Sequence, residues 1–155
     1  MREALFSILG DVQGLDVLDL FAGSGALGLE ALSRGASTAT FVEKARPALS
    51  ALAANAKALA VENRVTIVPG DAGAPVRGAG TYGLVFLDPP YDWPGVPTLL
   101  AALVARGALV PGAWVVVEHA SRDPAPAAPA SLEHRFDRNY GDTTLTFYRF
   151  APEGS

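Results

Sequence analysis

The sequence predicts a single α/β domain whose doubly wound, seven-stranded, mostly parallel sheet ends in an antiparallel C-terminal hairpin. Three observations predict it. Short apolar runs alternate with helix-period segments as far as Glu118, the pattern of buried parallel strands covered on both faces. The first of these runs ends in a glycine-rich turn that opens a helix. The last two runs are separated by Gly141-Asp142, residues suited to a hairpin turn.

Taken in order, Met1 to Leu9 places Leu5, Phe6 and Leu9 on one side of a helix. Asp16 to Phe21 reads as the first strand, Ala22-Gly23-Ser24-Gly25 as its turn, and Ala26 to Ser33 as the following helix. Thr38 to Val42 is a second strand, and Arg46 to Ala60 an Ala-rich amphipathic helix. Val65 to Val68 and Tyr82 to Leu87 are strands, Thr98 to Arg106 is a helix, and Ala113 to Glu118 is a strand rich in β-branched residues. Ser131 to Tyr140 and Thr143 to Phe150 form the hairpin, expected at a sheet edge. Pro124, Pro126 and Pro129 lie between the fifth strand and this hairpin. Their missing N–H groups predict an extended surface connection and not a domain boundary. No internal repeat is present, and residues 1–155 read as one domain.

Composition narrows the function classes. Of the 155 residues 50% are apolar and 18% charged, enough to bury a core and to exclude wholesale disorder. The absence of cysteine excludes disulfides, thiolate metal sites and cysteine nucleophiles. His119 and His134 have no metal-ligand spacing, so no metal is expected. No apolar run approaches the ~20 residues of a membrane span, and Met1-Arg2-Glu3 is not a signal-peptide start. A cytoplasmic protein with no membrane partner is expected. The net charge of −4 does not suggest general attraction to polyanions.

Gly23-Ser24-Gly25-Ala26-Leu27-Gly28 is a G-x-G-x-x-G loop at a strand-to-helix turn. Glu43 follows at the end of the next strand, where a carboxylate can accept bonds from ribose hydroxyls. This much fits a dinucleotide. Asp19, inside the first strand, argues otherwise, because a carboxylate so close to the loop would repel a pyrophosphate. S-adenosylmethionine carries no phosphate, and Asp19 could stabilise its ammonium and sulfonium end. The chain also has no room for the second domain that a dehydrogenase normally needs. Asp71 follows the third strand; it could accept from an adenine amino group while the Ala72 N–H donates to the ring. Each residue has a plain structural role as well. The glycines could serve strand–helix packing, Asp19 a helix cap, and Asp71 a turn.

The fourth strand runs straight into Asp88-Pro89-Pro90-Tyr91. An exocyclic amine on a nucleobase is a poor nucleophile, since its lone pair is delocalised into the ring. The Asp88 carboxylate and the Pro89 carbonyl, held by a stiff proline turn, could accept the amine's hydrogens and free that lone pair. Tyr91 offers a ring on which an extruded base can stack. The plain alternative is a proline turn ending a strand.

These residues resemble a known family. Val17-Leu18-Asp19-Leu20-Phe21-Ala22-Gly23-Ser24-Gly25 resembles motif I of class I S-adenosylmethionine-dependent methyltransferases. Asp88-Pro89-Pro90-Tyr91 resembles the motif of those that methylate nucleobase amino groups. More narrowly, Arg2-Glu3-Ala4-Leu5-Phe6-Ser7-Ile8-Leu9 and the stretch from Asp19 to Ala36 resemble the RsmD family, which methylates N2 of a guanine in bacterial small-subunit ribosomal RNA. The likeness spans nearly the whole chain and is loosest across the Pro-rich connection and the hairpin. It implies S-adenosylmethionine held by Asp19, Phe21, Gly23, Gly25, Glu43, Lys44, Asp71, Ala72 and Asp88, with Asp88, Pro89 and Tyr91 carrying the reaction. It also implies a monomeric protein whose partner is ribosomal RNA, free or in an assembling small subunit. Family members carry a basic segment ahead of the first helix, which starts here at Arg2, so part of the RNA-docking surface is expected to be absent. Arg122, Arg135, Arg138 and Arg149 could form a basic rim near the hairpin or be ordinary solvated charges, and Trp93 could flank the base or pack. Two rivals remain: an adenine-N6 methyltransferase with the same tetrapeptide, and a nucleotide-binding module without catalysis.

Overall fold

Strands that carry buried apolar residues on both faces of the sheet cannot leave either face in water, and the chain covers both. The computed structural model describes residues 1–72 and 80–152. Its elements run α1 (Arg2–Leu9), β1 (Asp16–Leu20), α2 (Ala26–Ser33), β2 (Thr38–Glu43), α3 (Arg46–Ala58), β3 (Val65–Pro69), β4 (Tyr82–Leu87), α4 (Val96–Ala105), β5 (Leu109–Ala120), β6 (Leu132–Tyr140) and β7 (Thr143–Phe150). A single 3₁₀ turn, Glu62–Arg64, leads into β3. The seven strands form one sheet in the order β3-β2-β1-β4-β5-β7-β6. The first five are parallel, and β7 pairs antiparallel with both β5 and β6.

Side chains of β1, β4 and β5 alternate between the two faces, so each strand feeds two cores. Leu18, Leu20, Val85, Val115 and Val117 pack with Leu99, Leu100 and Leu103 of α4. Val17, Leu84, Phe86 and Val116 pack on the other face with Leu5 and Phe6 of α1, Leu29 and Leu32 of α2, and Leu52 of α3. The chain leaves β1 towards one face and β4 towards the other. Between those adjacent strands lies the topological switch point, where an open α/β sheet leaves a crevice beyond its carboxyl ends.

Three elements differ from the sequence reading by more than a residue, and the hairpin lies where it was expected. Helix α3 stops at Ala58, because Ala60 takes a left-handed backbone (φ 56°) that ends it. Helix α4 starts at Val96 with Pro97 in its first turn, a place where proline's missing N–H costs nothing. Strand β5 begins at Leu109 and crosses Pro111-Gly112, where its register on β4 shifts between Tyr82 and Leu84. The hairpin lies on the sheet edge with its second strand inward: β7 sits against β5, and only β6 is the edge. The Pro-rich connection is tied down by the Tyr148 hydroxyl, which donates to the Pro126 carbonyl at 2.5 Å. No helix among the described residues is long and apolar enough to cross a membrane.

Candidate active site

The glycine loop is built from beneath. Asp19 is 3% exposed, and its Oδ2 accepts the Gly28 N–H (3.1 Å) in the first turn of α2, a donor that the helix itself cannot satisfy. Burial pushes the Asp19 carboxyl up to about 8, with Asp88 and Glu43 adding repulsion and the Gly28 bond opposing it. A Cβ at Gly28 would run into the Phe41 ring of β2, and one at Gly25, whose φ is 85°, into Leu52 of α3. Both glycines thus let α2 close onto its neighbours. Phe21 enters the loop with φ 61°, a strained value for an aromatic residue, and lays its ring edge-on to Trp93 at 4.9 Å.

Glu43, at the end of β2, ties the glycine loop to the start of the β2–α3 turn through three backbone N–H groups. Its Oε1 accepts from Gly23 N (2.8 Å), and its Oε2 from Lys44 N (3.1 Å) and Ala45 N (2.9 Å). A carboxylate has about four acceptor sites, so one remains for a ligand hydroxyl.

A cavity of about 640 Å³ opens above the carboxyl ends of β1, β2, β3 and β4. Phe21, Val42 and Trp93 supply its apolar wall, and Glu43, Lys44, Asp71, Ala72, Asp88 and Pro89 its other sides. The lining holds three carboxylates against one ammonium, and Lys44 Nζ stands 4.0 Å from Asp71 Oδ1. Such a cavity suits a cation.

A second cavity, of about 510 Å³, lies on the other side of Asp88-Pro89-Pro90 and shares those residues and Trp93 with the first. Its far wall comes from distant sequence: Glu118 and His119 at the end of β5, Pro124 and Pro126 of the connection, and Asp142-Thr143 at the hairpin turn. The register Leu87↔Val117 carries Asp88 and Glu118 to the same level on neighbouring strands. Their carboxyl groups perturb one another's charge. Desolvation raises both, and with repulsion from Asp88 it pushes Glu118 up to about 7.

Tyr91 is 63% exposed at the mouth of this cavity, and the Arg122 guanidinium lies over its ring, 4.5 Å from the centroid. The next residue, Asp92, has φ 65°, so left-handed backbone occurs at both Phe21 and Asp92, on either side of the tetrapeptide's site.

Of the residues singled out from the sequence, Phe21, Glu43, Lys44, Asp71, Ala72, Asp88 and Pro89 meet on one cavity. Asp19, Gly23 and Gly25 are not on its lining. Asp19 was expected to face the positive end of a cofactor; it lies instead under the loop as the acceptor for Gly28. The four arginines do not form one rim. Arg149 donates to Gly112 O at 2.8 Å and covers Trp114 near the start of the parallel strands, and Arg138 lies over Phe136. Only Arg122 of the four is placed against a site residue by these contacts. Glu118 went unnoticed in the sequence reading. The signal available was a carboxylate closing the run Trp114 to Val117, the same place in β5 that Asp88 holds after β4. Among the described residues no group of His, Asp and Glu could hold a metal ion.

Comparison with known proteins agrees with this architecture. The family described as Conserved hypothetical protein 95 matches residues 1–149. The ribosomal RNA small subunit methyltransferase D of Escherichia coli (strain K12) is 33% identical over 156 aligned positions, covering 99% of this chain and 78% of that protein. A solved structure of a conserved hypothetical protein from Streptococcus pyogenes superposes with a TM-score of 0.91 at 37% identity, covering 97% of this chain and 95% of that one. An RNA methyltransferase from Salinibacter ruber, solved with S-adenosyl-L-homocysteine, shares the fold at a TM-score of 0.69 and 18% identity, covering 98% of this chain and 91% of that one. The family match over nearly the whole chain and the Escherichia coli relative together make this chain a member of the Conserved hypothetical protein 95 family, the RsmD family that its motifs resemble.

Proposed function

We propose that this protein transfers the methyl group of S-adenosylmethionine to the exocyclic N2 of a guanine in bacterial small-subunit ribosomal RNA. The observation that carries the reading is the Asp88-Pro89-Pro90 turn, the common wall of two cavities, one acidic and one closed by the hairpin. A donor on one side and an acceptor base on the other would meet only there. The name of the Escherichia coli relative supports the choice of RNA.

The residues present fit the cofactor. The first cavity falls within the size range of small-molecule sites, and its acidic lining favours a ligand with ammonium and sulfonium groups over a pyrophosphate. Glu43 would hold a ribose hydroxyl with its remaining acceptor site. Asp71 and the Ala72 N–H would take the adenine, and Phe21 and Trp93 would supply apolar contact. When bound, S-adenosylmethionine supplies the methyl: its S–C bond breaks with the electron pair left on sulfur, a C–N bond forms to the base, and that nitrogen gives up one proton.

The chain's own groups make this possible. Asp88 and the Pro89 carbonyl accept the two amine hydrogens, which pyramidalises the nitrogen and aims its lone pair. Prolines 89 and 90 fix the turn, so the acceptors need little reorganisation as charge develops. The released proton passes to Asp88, whose raised pKa suits it as an acceptor. Tyr91, with Arg122 on one face, offers the other face to the extruded base. A guanine already in a loop costs less to extrude than a paired one, so structured RNA with an exposed loop is the expected substrate.

Incubation with methyl-labelled S-adenosylmethionine and small-subunit ribosomal RNA, followed by digestion to nucleosides, tests the proposal. Label in N2-methylguanosine is the expected result. Label in N6-methyladenosine, or none, overturns it.

A further inference from the structure

The second cavity holds a carboxylate that methyl transfer alone does not require. We propose that Glu118 is a specificity-determining residue that accepts the N1–H of the target guanine while its neighbour Asp88 accepts the adjacent N2–H. The inference rests on the guanine-N2 reading and says how that base is chosen.

Asp88 and Glu118 lie at the same level on neighbouring parallel strands, and both line the 510 Å³ cavity. They therefore present two acceptors side by side. The Watson–Crick edge of guanine presents two donors side by side, N1–H and N2–H. The order along the edge matches: the Pro89 carbonyl and Asp88 take the two hydrogens of the amine, and Glu118 takes the next donor along. Adenine offers a donor at N6 but a lone pair at N1, which an ionised Glu118 would repel. A site built to pair a donor rejects an analogue lacking it, because its own polar group is then left unmatched. His119, the next residue, is engaged with Thr146 Oγ1 (2.6 Å) and the Ala120 carbonyl, and does not compete for this edge.

The test changes one atom of the base and one of the protein. The guanine that the wild-type protein methylates is first mapped in a small-subunit ribosomal RNA transcript. A ligated transcript then carries 2-aminopurine there, which keeps the C2 amine but has a lone pair at N1. Single-turnover rates are measured on both RNAs for wild type and Glu118→Gln, the amide being able to donate to N1 or to accept from it. Wild type is expected to favour guanine by about 10²-fold or more, and Glu118→Gln to narrow that ratio by about tenfold or more. A merely structural glutamate would slow both RNAs alike. An unchanged ratio in Glu118→Gln, or a wild type indifferent to the base, overturns the role of Glu118 and leaves the guanine-N2 reading intact. If wild type methylates no guanine, both fail, and the mapping step reveals that first.

Discussion

The two cavities on either side of Asp88-Pro89-Pro90 are assembled by different logic. The first is made from residues at or just past the ends of β1, β2 and β3: Phe21, Glu43 and Lys44, Asp71 and Ala72. Each is placed by the strand it follows. The second joins the tetrapeptide to Glu118, to Pro124 and Pro126, and to Asp142-Thr143, and it exists only because β7 pairs with β5. The first is therefore robust to local change, whereas the second depends on the long-range hairpin. On the proposed reading cofactor binding falls to one region and base choice to the other, with chemistry at the shared wall.

Substitution at that wall is expected to have the largest effect. Asp88→Ala should lower kcat and kcat/KM together, by ~10²–10³, as the loss of one aimed polar group does elsewhere. Steady-state methyl transfer to small-subunit ribosomal RNA measures it. Loss of thermal stability with ordinary turnover per folded molecule would reduce Asp88 to a turn residue.

Next comes Glu43, on the cofactor side. Glu43→Ala removes the acceptor for three backbone N–H groups and, on the proposed reading, for the ligand's ribose hydroxyl. Affinity for S-adenosylhomocysteine should weaken by about 1–3 kcal/mol, and NAD should bind neither form measurably. Calorimetric titration reads both. An unchanged dissociation constant would break the division between the cavities.

Tyr91 sharpens it from the other side. Tyr91→Ala should weaken engagement of RNA by ~1–3 kcal/mol through lost stacking, with cofactor affinity unaltered, and Tyr91→Phe should be nearly silent. RNA binding measured by filter retention on the three proteins decides it.

The smallest effect concerns Asp19, which lies beneath the glycine loop. Its folded pKa of about 8 exceeds the ordinary carboxylate value, so the folded state holds this proton more tightly than the unfolded chain does. Stability from this group is fully present below about pH 4 and is lost as pH rises through about 8. Asp19→Asn keeps an acceptor for Gly28 N–H and cannot ionise. Its melting temperature should gain on wild type steadily from pH 5 to pH 8. A constant difference would show that Asp19 is not a buried titrating group.

The same contrast explains what could be read in the sequence. The alternating runs, the loop Gly23 to Gly28, Glu43 and the tetrapeptide are local patterns, and each announces its element and its place at a strand end. Asp19 was visible too, but whether it faced a ligand or Gly28 depends on how closely α2 packs on β2, which the small size of Gly28 permits. Glu118 was hidden because its partner Asp88 is thirty positions away, and only the β4–β5 register brings them level. The arginines were grouped by sequence nearness to the hairpin, yet a hairpin spans the full height of the sheet and holds Arg149 at the opposite end from Thr143.

The central claim is that cofactor binding and transfer chemistry meet at Asp88 but belong to separable groups. Single-turnover methyl transfer, with folded and cofactor-saturated Asp88→Ala and Glu43→Ala compared side by side, tests it most directly. The account expects Glu43→Ala to react near the wild-type rate once saturated, and Asp88→Ala to be slowed ~10²-fold or more despite near-normal cofactor affinity. A near-normal rate for Asp88→Ala, or equal losses in both proteins, would contradict it.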